Sequence, residues 1–197
     1  MNRCHRSAVE KLINKKLKYF MKKIIVLFFL VSLSTVSFAQ SFAKTLKETP
    51  GIVSYTYRKS FDKDVATTLD TIKRMGITNI EFSNLFKRTA KEIRQMLDER
   101  GMRCTSFGVS YDDLVGKTAE VAENAKTLGA SYVRVAWIPH EGPATIETIK
   151  KAAEDFNKAG KYLKENHNLM FCYHNHGYEF VPYEKGTLFD YLAENTD

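Results

Sequence analysis

The chain has 197 residues and a formal net charge of +7, from 30 Lys and Arg against 23 Asp and Glu. The excess is confined to residues 1–39, which hold eight bases and one acid; the body is neutral, with 22 of each, and lacks the basic footprint of a nucleic-acid-binding surface. No metal-type CxxC pair, no P-loop and no Ser-His-Asp order is present, which removes the common zinc-finger, nucleotide-phosphate and triad-hydrolase classes.

Met21-Lys22-Lys23 is a short positive segment, Ile24 to Val31 is uninterrupted apolar sequence, and Ser37-Phe38-Ala39 closes it with small residues. This pattern predicts a secretory signal over 21–39, cleaved before Gln40, with 1–20 an upstream extension from a misassigned start. The apolar run is well short of the ~20 residues that span a bilayer, so the expectation is a periplasmic or secreted protein free of the membrane after cleavage. Residues 40–197 then form the folded domain. Its two cysteines, Cys104 and Cys172, fall inside expected strands and read as buried free thiols.

Along the body, apolar strands alternate with amphipathic helices. Strand one is read over Ile52–Tyr57, followed by a helix from about Asp62 to Met75 with Val65, Leu69, Ile72 and Met75 on one stripe. Strand two is Asn79–Phe82, and Thr89 with Glu92 three residues later makes a capping box for the next helix. Strand three is Cys104–Val109, with one helix after Asp112-Asp113. Strand four is Tyr132–Trp137, followed by a loop and a long helix from about Thr145 to Asn166. Strand five is Met170 to Tyr173 or His174, and a last helix covers Leu188–Glu194. Gly76, Gly101, Gly129 and Asn168 stand at helix-to-strand junctions, where a left-handed residue closes the helix.

Five β-then-α units in one register imply parallel strands joined by right-handed crossovers. An open doubly wound sheet and a (β/α)8 barrel both fit that order. The first needs a Gly-rich turn after strand one, and Tyr57-Arg58-Lys59-Ser60-Phe61 has no glycine. Polar and aromatic residues instead end every strand: Tyr57, Glu81, Ser110, Trp137, and His174 through Glu179. A barrel gathers such positions into one mouth, so the expected fold class is α/β, a partial TIM barrel of about five βα units.

The motif Tyr173-His174-Asn175-His176-Gly177-Tyr178-Glu179-Phe180, with Gly76 to Phe82 and Leu188 to Leu192, resembles the xylose-isomerase-like sugar phosphate isomerase/epimerase family over roughly residues 51–197. The resemblance implies a divalent metal held by carboxylates and a histidine from the later strands, beginning with a glutamate after strand five. Glu179 is the position that matches it. The remaining ligands come from strands six to eight in that family, and a full barrel takes ~250 residues, so the resemblance implies a chain cut after its fifth unit and inactive alone.

Residue chemistry points the same way. Isomerisation and epimerisation of sugars remove a proton beside a carbonyl and need a base near a Lewis acid. Glu179 and His176 are the catalytic candidates, with Glu179 also the metal candidate. His174 and His176, two apart and on one side of an extended strand, suit sugar hydroxyls or proton relay. Tyr57 and Trp137 suit the walls of a sugar pocket. Glu81 is either a mouth residue or the partner of a cation such as Arg134, and His140-Glu141 reads as a solvated loop. The expected partner is a small carbohydrate, with self-association through open sheet edges. Two other readings stand beside isomerase/epimerase: a keto-glycoside lyase or hydrolase using the same proton abstraction, and a sugar-binding barrel without catalysis.

Overall fold

The computed structural model describes residues 20–23 and 50–197. The chain divides into two units, 1–48 and 49–197. Of the first, only 20–23 is described, as a turn of helix, and the expected signal segment otherwise lies outside the described residues. No helix among the described residues is long and apolar enough to cross a membrane.

The second unit is built on a five-stranded parallel sheet: β1 (Gly51–Val53), β2 (Asn79–Phe82), β3 (Arg103–Val109), β4 (Tyr132–Val135) and β5 (Met170–Tyr173), paired in chain order. Chain-order pairing with crossovers of one hand sets every helix on the same face, which is barrel winding and not the reversal of a doubly wound sheet. The helices are α1 (Arg58–Phe61), α2 (Val65–Arg74), α3 (Ala90–Asp98), α4 (Tyr111–Gly116), α5 (Thr118–Leu128), α6 (Ile146–His167) and α7 (Leu188–Glu194). A two-residue-stranded antiparallel hairpin, β6 (Pro182–Tyr183) with β7 (Gly186–Thr187), precedes α7.

Local chemistry explains the boundaries. Asp64, Thr89, Ser110, Thr145 and Thr187 each cap a helix by accepting a backbone N–H, and Thr89 with Glu92 and Thr187 with Asp190 close full capping boxes. Gly129 and Asn168 end α5 and α6 at φ 76° and 53°. Arg94 of α3 donates to the Leu128 carbonyl at 2.8 Å, capping α5 from its neighbour. Arg100 grips Asp70 of α2 through two bonds of 2.8 and 3.2 Å.

Three expectations are corrected. Strand one ends at Val53, and Ser54–Tyr57 is a 3₁₀ turn, because buried Ser54 ties itself to the end of β2 by its side chain: its Oγ accepts from the Ser83 amide at 2.8 Å. Strand four ends at Val135; beyond it the Ile138 amide donates to the Tyr178 hydroxyl in place of a strand. The helix after β3 is two helices, broken at Lys117 with φ −136° and ψ 34°.

The core lies between sheet and helices. Ile80, Phe82, Val133 and Val135 are buried from the sheet, against Leu69 and Ile72 of α2, Ile93 and Leu97 of α3, Leu128 of α5 and Ile149 and Leu163 of α6. Cys104 and Cys172 are free thiols, Cys104 buried as read from the sequence and Cys172 only half-buried; burial pushes the Cys104 pKa up to about 11, and Cys172 shifts upward for the same reason.

Candidate functional site

The carboxyl ends of the five strands open into one cavity of about 920 Å³. Each strand contributes to it: Val53 of β1 and Tyr55 after it, Ser83 and Asn84 after β2, Gly108 of β3 and Ser110 after it, Trp137 after β4, and His174 and His176 after β5. A cavity of this size accommodates a small ligand, and the carboxyl end of the strands is where barrel enzymes carry their chemistry.

The polar floor is an ion pair across β3. Register aligns Glu81 with Ser106, Gly108 with Arg134, and Arg134 with Cys172, so these residues share the sheet face opposite the helices. The Arg134 guanidinium crosses Gly108 to reach Glu81, donating through Nε at 2.9 Å and also through Nη2 to the same oxygen. Gly108 makes room for this: a Cβ there would stand 2.5 Å from Arg134 Nη2 and 3.1 Å from the Ser83 backbone. Glu81 is thus Arg134's partner, and it is Arg134 that lines the cavity.

The aromatic wall is continuous. Trp137 stacks on His140 at 4.7 Å between ring centres and meets Tyr178 edge-on at 4.7 Å and His176 at 5.8 Å. His174 and His176 stack at 5.0 Å, both exposed. Half-exposed Trp137 offers an indole edge and face of the kind that packs on the apolar side of a sugar ring. His140 is part of this wall and not a free loop residue, since Ile138 holds its Nδ1 at 2.7 Å through the backbone carbonyl.

Glu179 stands behind the wall. It is 0% exposed. Both carboxylate oxygens accept the His176 backbone N–H, at 3.1 and 2.9 Å, and Oε1 also accepts the Tyr173 hydroxyl. The Tyr173 and Tyr178 hydroxyls lie 2.7 Å apart, and Tyr178 in turn accepts the Ile138 amide at 2.9 Å. Burial first, and then the bonds to Glu179 and Tyr178, push the Tyr173 pKa far upward, so its proton stays in place. The turn after His176 forms as expected, but with Gly177 at an ordinary φ of −99°, and it folds Glu179 under the loop instead of over the mouth.

Of the residues singled out from sequence, His174, His176 and Trp137 come together on the cavity. Tyr57, Glu81 and Glu179 do not line it. Tyr57 is placed in the 3₁₀ turn with its hydroxyl 3.9 Å from Met75 Sδ, on the α2 side. Arg134 on the cavity and Tyr178 and His140 in the wall join His174, His176 and Trp137; of these additions Tyr178 is the one legible in the sequence, an aromatic inside the motif that carries the histidines.

The residues present do not fit a divalent metal by themselves. Among the described residues no group of three or more His, Cys, Asp or Glu is placed to hold an ion. Glu179, the matching carboxylate, has both oxygens occupied and no exposed surface.

No protein-family model matches the chain, and no curated protein does. Solved structures do match. A sugar phosphate isomerase/epimerase from Parabacteroides distasonis superposes with TM-score 0.58 at 23% identity, over 75% of this chain and 61% of that one. A xylose isomerase domain protein from Alicyclobacillus acidocaldarius gives 0.51 at 12% identity, over 74% and 58%. The fold these structures share with the chain is that of a TIM barrel. A third such barrel, the IOLI protein, which binds a zinc atom, gives 0.50 at 12% identity over 64% and 51%. The chain spans about 61% of the length of the first of these structures. The five units described here are therefore a partial barrel, as the alternation of strands and helices predicts.

Proposed function

We propose that this chain is the amino-terminal part of a barrel that binds a carbohydrate at the carboxyl ends of its strands and isomerises or epimerises it. The observation that carries the reading is the convergence of His174, His176 and Trp137 on one cavity reached by all five strands. In this reading Trp137 packs on the sugar ring, Arg134 at the floor donates to a hydroxyl or carbonyl oxygen, and the His176 imidazole takes the proton from the carbon beside the carbonyl. Isomerisation returns it to the former carbonyl carbon while the hydroxyl proton passes from one enediol oxygen to the other, and epimerisation restores a proton to the opposite face of the same carbon. The solved barrels named for sugar phosphate isomerase/epimerase and xylose isomerase support the substrate class.

A divalent metal enters the reading through the resemblance of the motif at Tyr173 to Phe180 and through the zinc of the IOLI structure. Here it would take donors outside the described residues, and Glu179 would have to leave three hydrogen bonds to join them. The export signal read over 21–39 supports a periplasmic barrel acting on a free sugar or glycoside. A mature protein beginning at Gln40 by mass spectrometry is expected, and peptides spanning Ala39 and Gln40 in mature material would remove that location. The outer edges of β1 and β5, the ends of the sheet order, support self-association, read as oligomers in size-exclusion chromatography.

The test of function is solvent exchange. A free aldose incubated in deuterium oxide with the barrel completed by its remaining units is expected to take deuterium at the carbon beside its carbonyl, His176→Ala in that protein is expected to abolish it, and the 197-residue chain alone is expected to be inactive. Release of an alcohol from a keto-glycoside, without exchange into the aldose, would support elimination instead.

A further inference from the structure

The buried carboxylate behind the wall is the group that this mechanism leaves without a task. Burying a carboxylate is costly by several kcal/mol unless its oxygens are hydrogen-bonded, and Glu179 meets that condition with donors from the end of β5 and the loop that follows it. The His176 amide is held at 3.1 and 2.9 Å, and Tyr173 is held through its hydroxyl. Through the 2.7 Å contact between the Tyr173 and Tyr178 hydroxyls, the same chain of bonds reaches the Ile138 amide at 2.9 Å, one residue past Trp137.

Two loops with no backbone ladder between them are thereby fixed to each other. His174 makes the last ladder bond, to the Val135 carbonyl at 2.9 Å. Beyond it, the link from the β5 loop to the β4 loop runs through Glu179, Tyr173 and Tyr178. The rings follow the bonds: Tyr178 meets Trp137 at 4.7 Å, His140 at 4.4 Å and His176 at 6.0 Å.

We propose that Glu179 is a positioning residue, a latch that acts through the His176 amide and the Tyr173–Tyr178 hydroxyl pair to hold the His176 imidazole and the Trp137 indole against the cavity, and that it is not a metal ligand in this chain. The latch needs hydrogen-bond acceptors at this point and does not need a negative charge. That separates it from a ligand, because glutamine accepts a backbone N–H as glutamate does but coordinates a hard cation poorly. What the latched imidazole does to a sugar rests on the proposed function; the latch itself does not.

Trp137 is the only tryptophan of the 197 residues, so its emission reports on the wall without any substrate. The experiment is acrylamide quenching of the full chain, with far-UV circular dichroism on each variant. Glu179→Ala is expected to free an indole now 49% exposed and raise its quenching constant about twofold, with helical content unchanged. Glu179→Gln is expected to quench like the wild type. Tyr173→Phe, which keeps the ring and removes one donor, is expected to lie between. Unchanged quenching in Glu179→Ala overturns the proposal, and so does a Gln variant that behaves like Ala, which would assign a requirement for charge. Should the Ala variant lose its fold, Tyr173→Phe decides: raised quenching supports the latch, wild-type quenching overturns it. Failure of deuterium exchange with this contrast intact would sink the isomerase reading and leave the latch standing.

Discussion

The two faces of the sheet solve different problems with the same strands. Toward the helices, Ile80, Phe82, Val133 and Val135 are at most 1% exposed and make apolar contacts only a packed core can offer. Toward the opposite face stand Glu81, Ser106, Gly108, Arg134 and Cys172, and an ion pair between Arg134 and Glu81 crosses the glycine. Ser106 Oγ is buried there with no hydrogen-bond partner among the described residues. One face holds the fold by burying area; the other holds a geometry by fixing polar groups, at a cost in stability that the first face offsets.

The largest effect is expected on the core face. Phe82→Ala removes a 0% exposed ring that packs edge-on to Phe61 at 5.8 Å. It should cost about 3–5 kcal/mol, read as a lowered urea midpoint, and a loss under 1 kcal/mol would mean that the sheet is not packed as described. On the polar face, Gly108→Val places carbon where Arg134 Nη2 now lies, with the Ser83 backbone preventing retreat. It should cost about 1–3 kcal/mol and displace the guanidinium, so that any ligand contact made by Arg134 is lost as well.

Acid is expected to act on neither face of the sheet, but on carboxylates of the helices, those at the helix starts and also Asp70, which Arg100 holds below its ordinary pKa. Asp64, Glu92 and Asp190 have their pKa held below the ordinary 3.8 or 4.5 by hydrogen bonds from Thr67, Thr89 and Thr187, and Asp113 by Ser110 first and then Lys117. A lowered folded pKa gives stability that is complete above the ordinary value and lost as pH falls through the folded one. Tm should therefore stay level from about pH 6 to 5 and decline below about pH 4. The smallest effect is at Asn168, already left-handed at φ 53°. Asn168→Gly should be neutral within about 0.5 kcal/mol, whereas Asn168→Val should cost about 1–2 kcal/mol.

This division also explains what the sequence made legible. The core face is written in local periodicity, so Asn79–Phe82, the Thr89–Glu92 box and Leu188–Glu194 fall where the pattern places them. The left-handed junctions at Gly76, Gly101, Gly129 and Asn168 are local too. The site depends on partners far apart in sequence. That Ser54 would bind Ser83, and so turn Tyr57 away from the mouth, is a contact over 29 residues. Glu81 depends on Arg134, 53 residues on, and on the absence of a side chain at Gly108 between them. Glu179 shows the limit most plainly: its spacing from His176 is visible, but whether a turn carries the carboxylate over the loop or under it is decided by the Tyr173 hydroxyl and the His176 amide that receive it.

The central claim is that the cavity at the carboxyl ends of the strands takes a carbohydrate against the wall of Trp137 and the paired histidines. Titrating a free aldose such as xylose into the full chain while following emission from its one tryptophan tests this most directly. A saturable change in Trp137 emission that His176→Ala weakens at least about tenfold, or ~1.4 kcal/mol, is the predicted result. Emission that does not respond to aldoses in a protein with intact helical signal, or a response that His176→Ala leaves untouched, would contradict it.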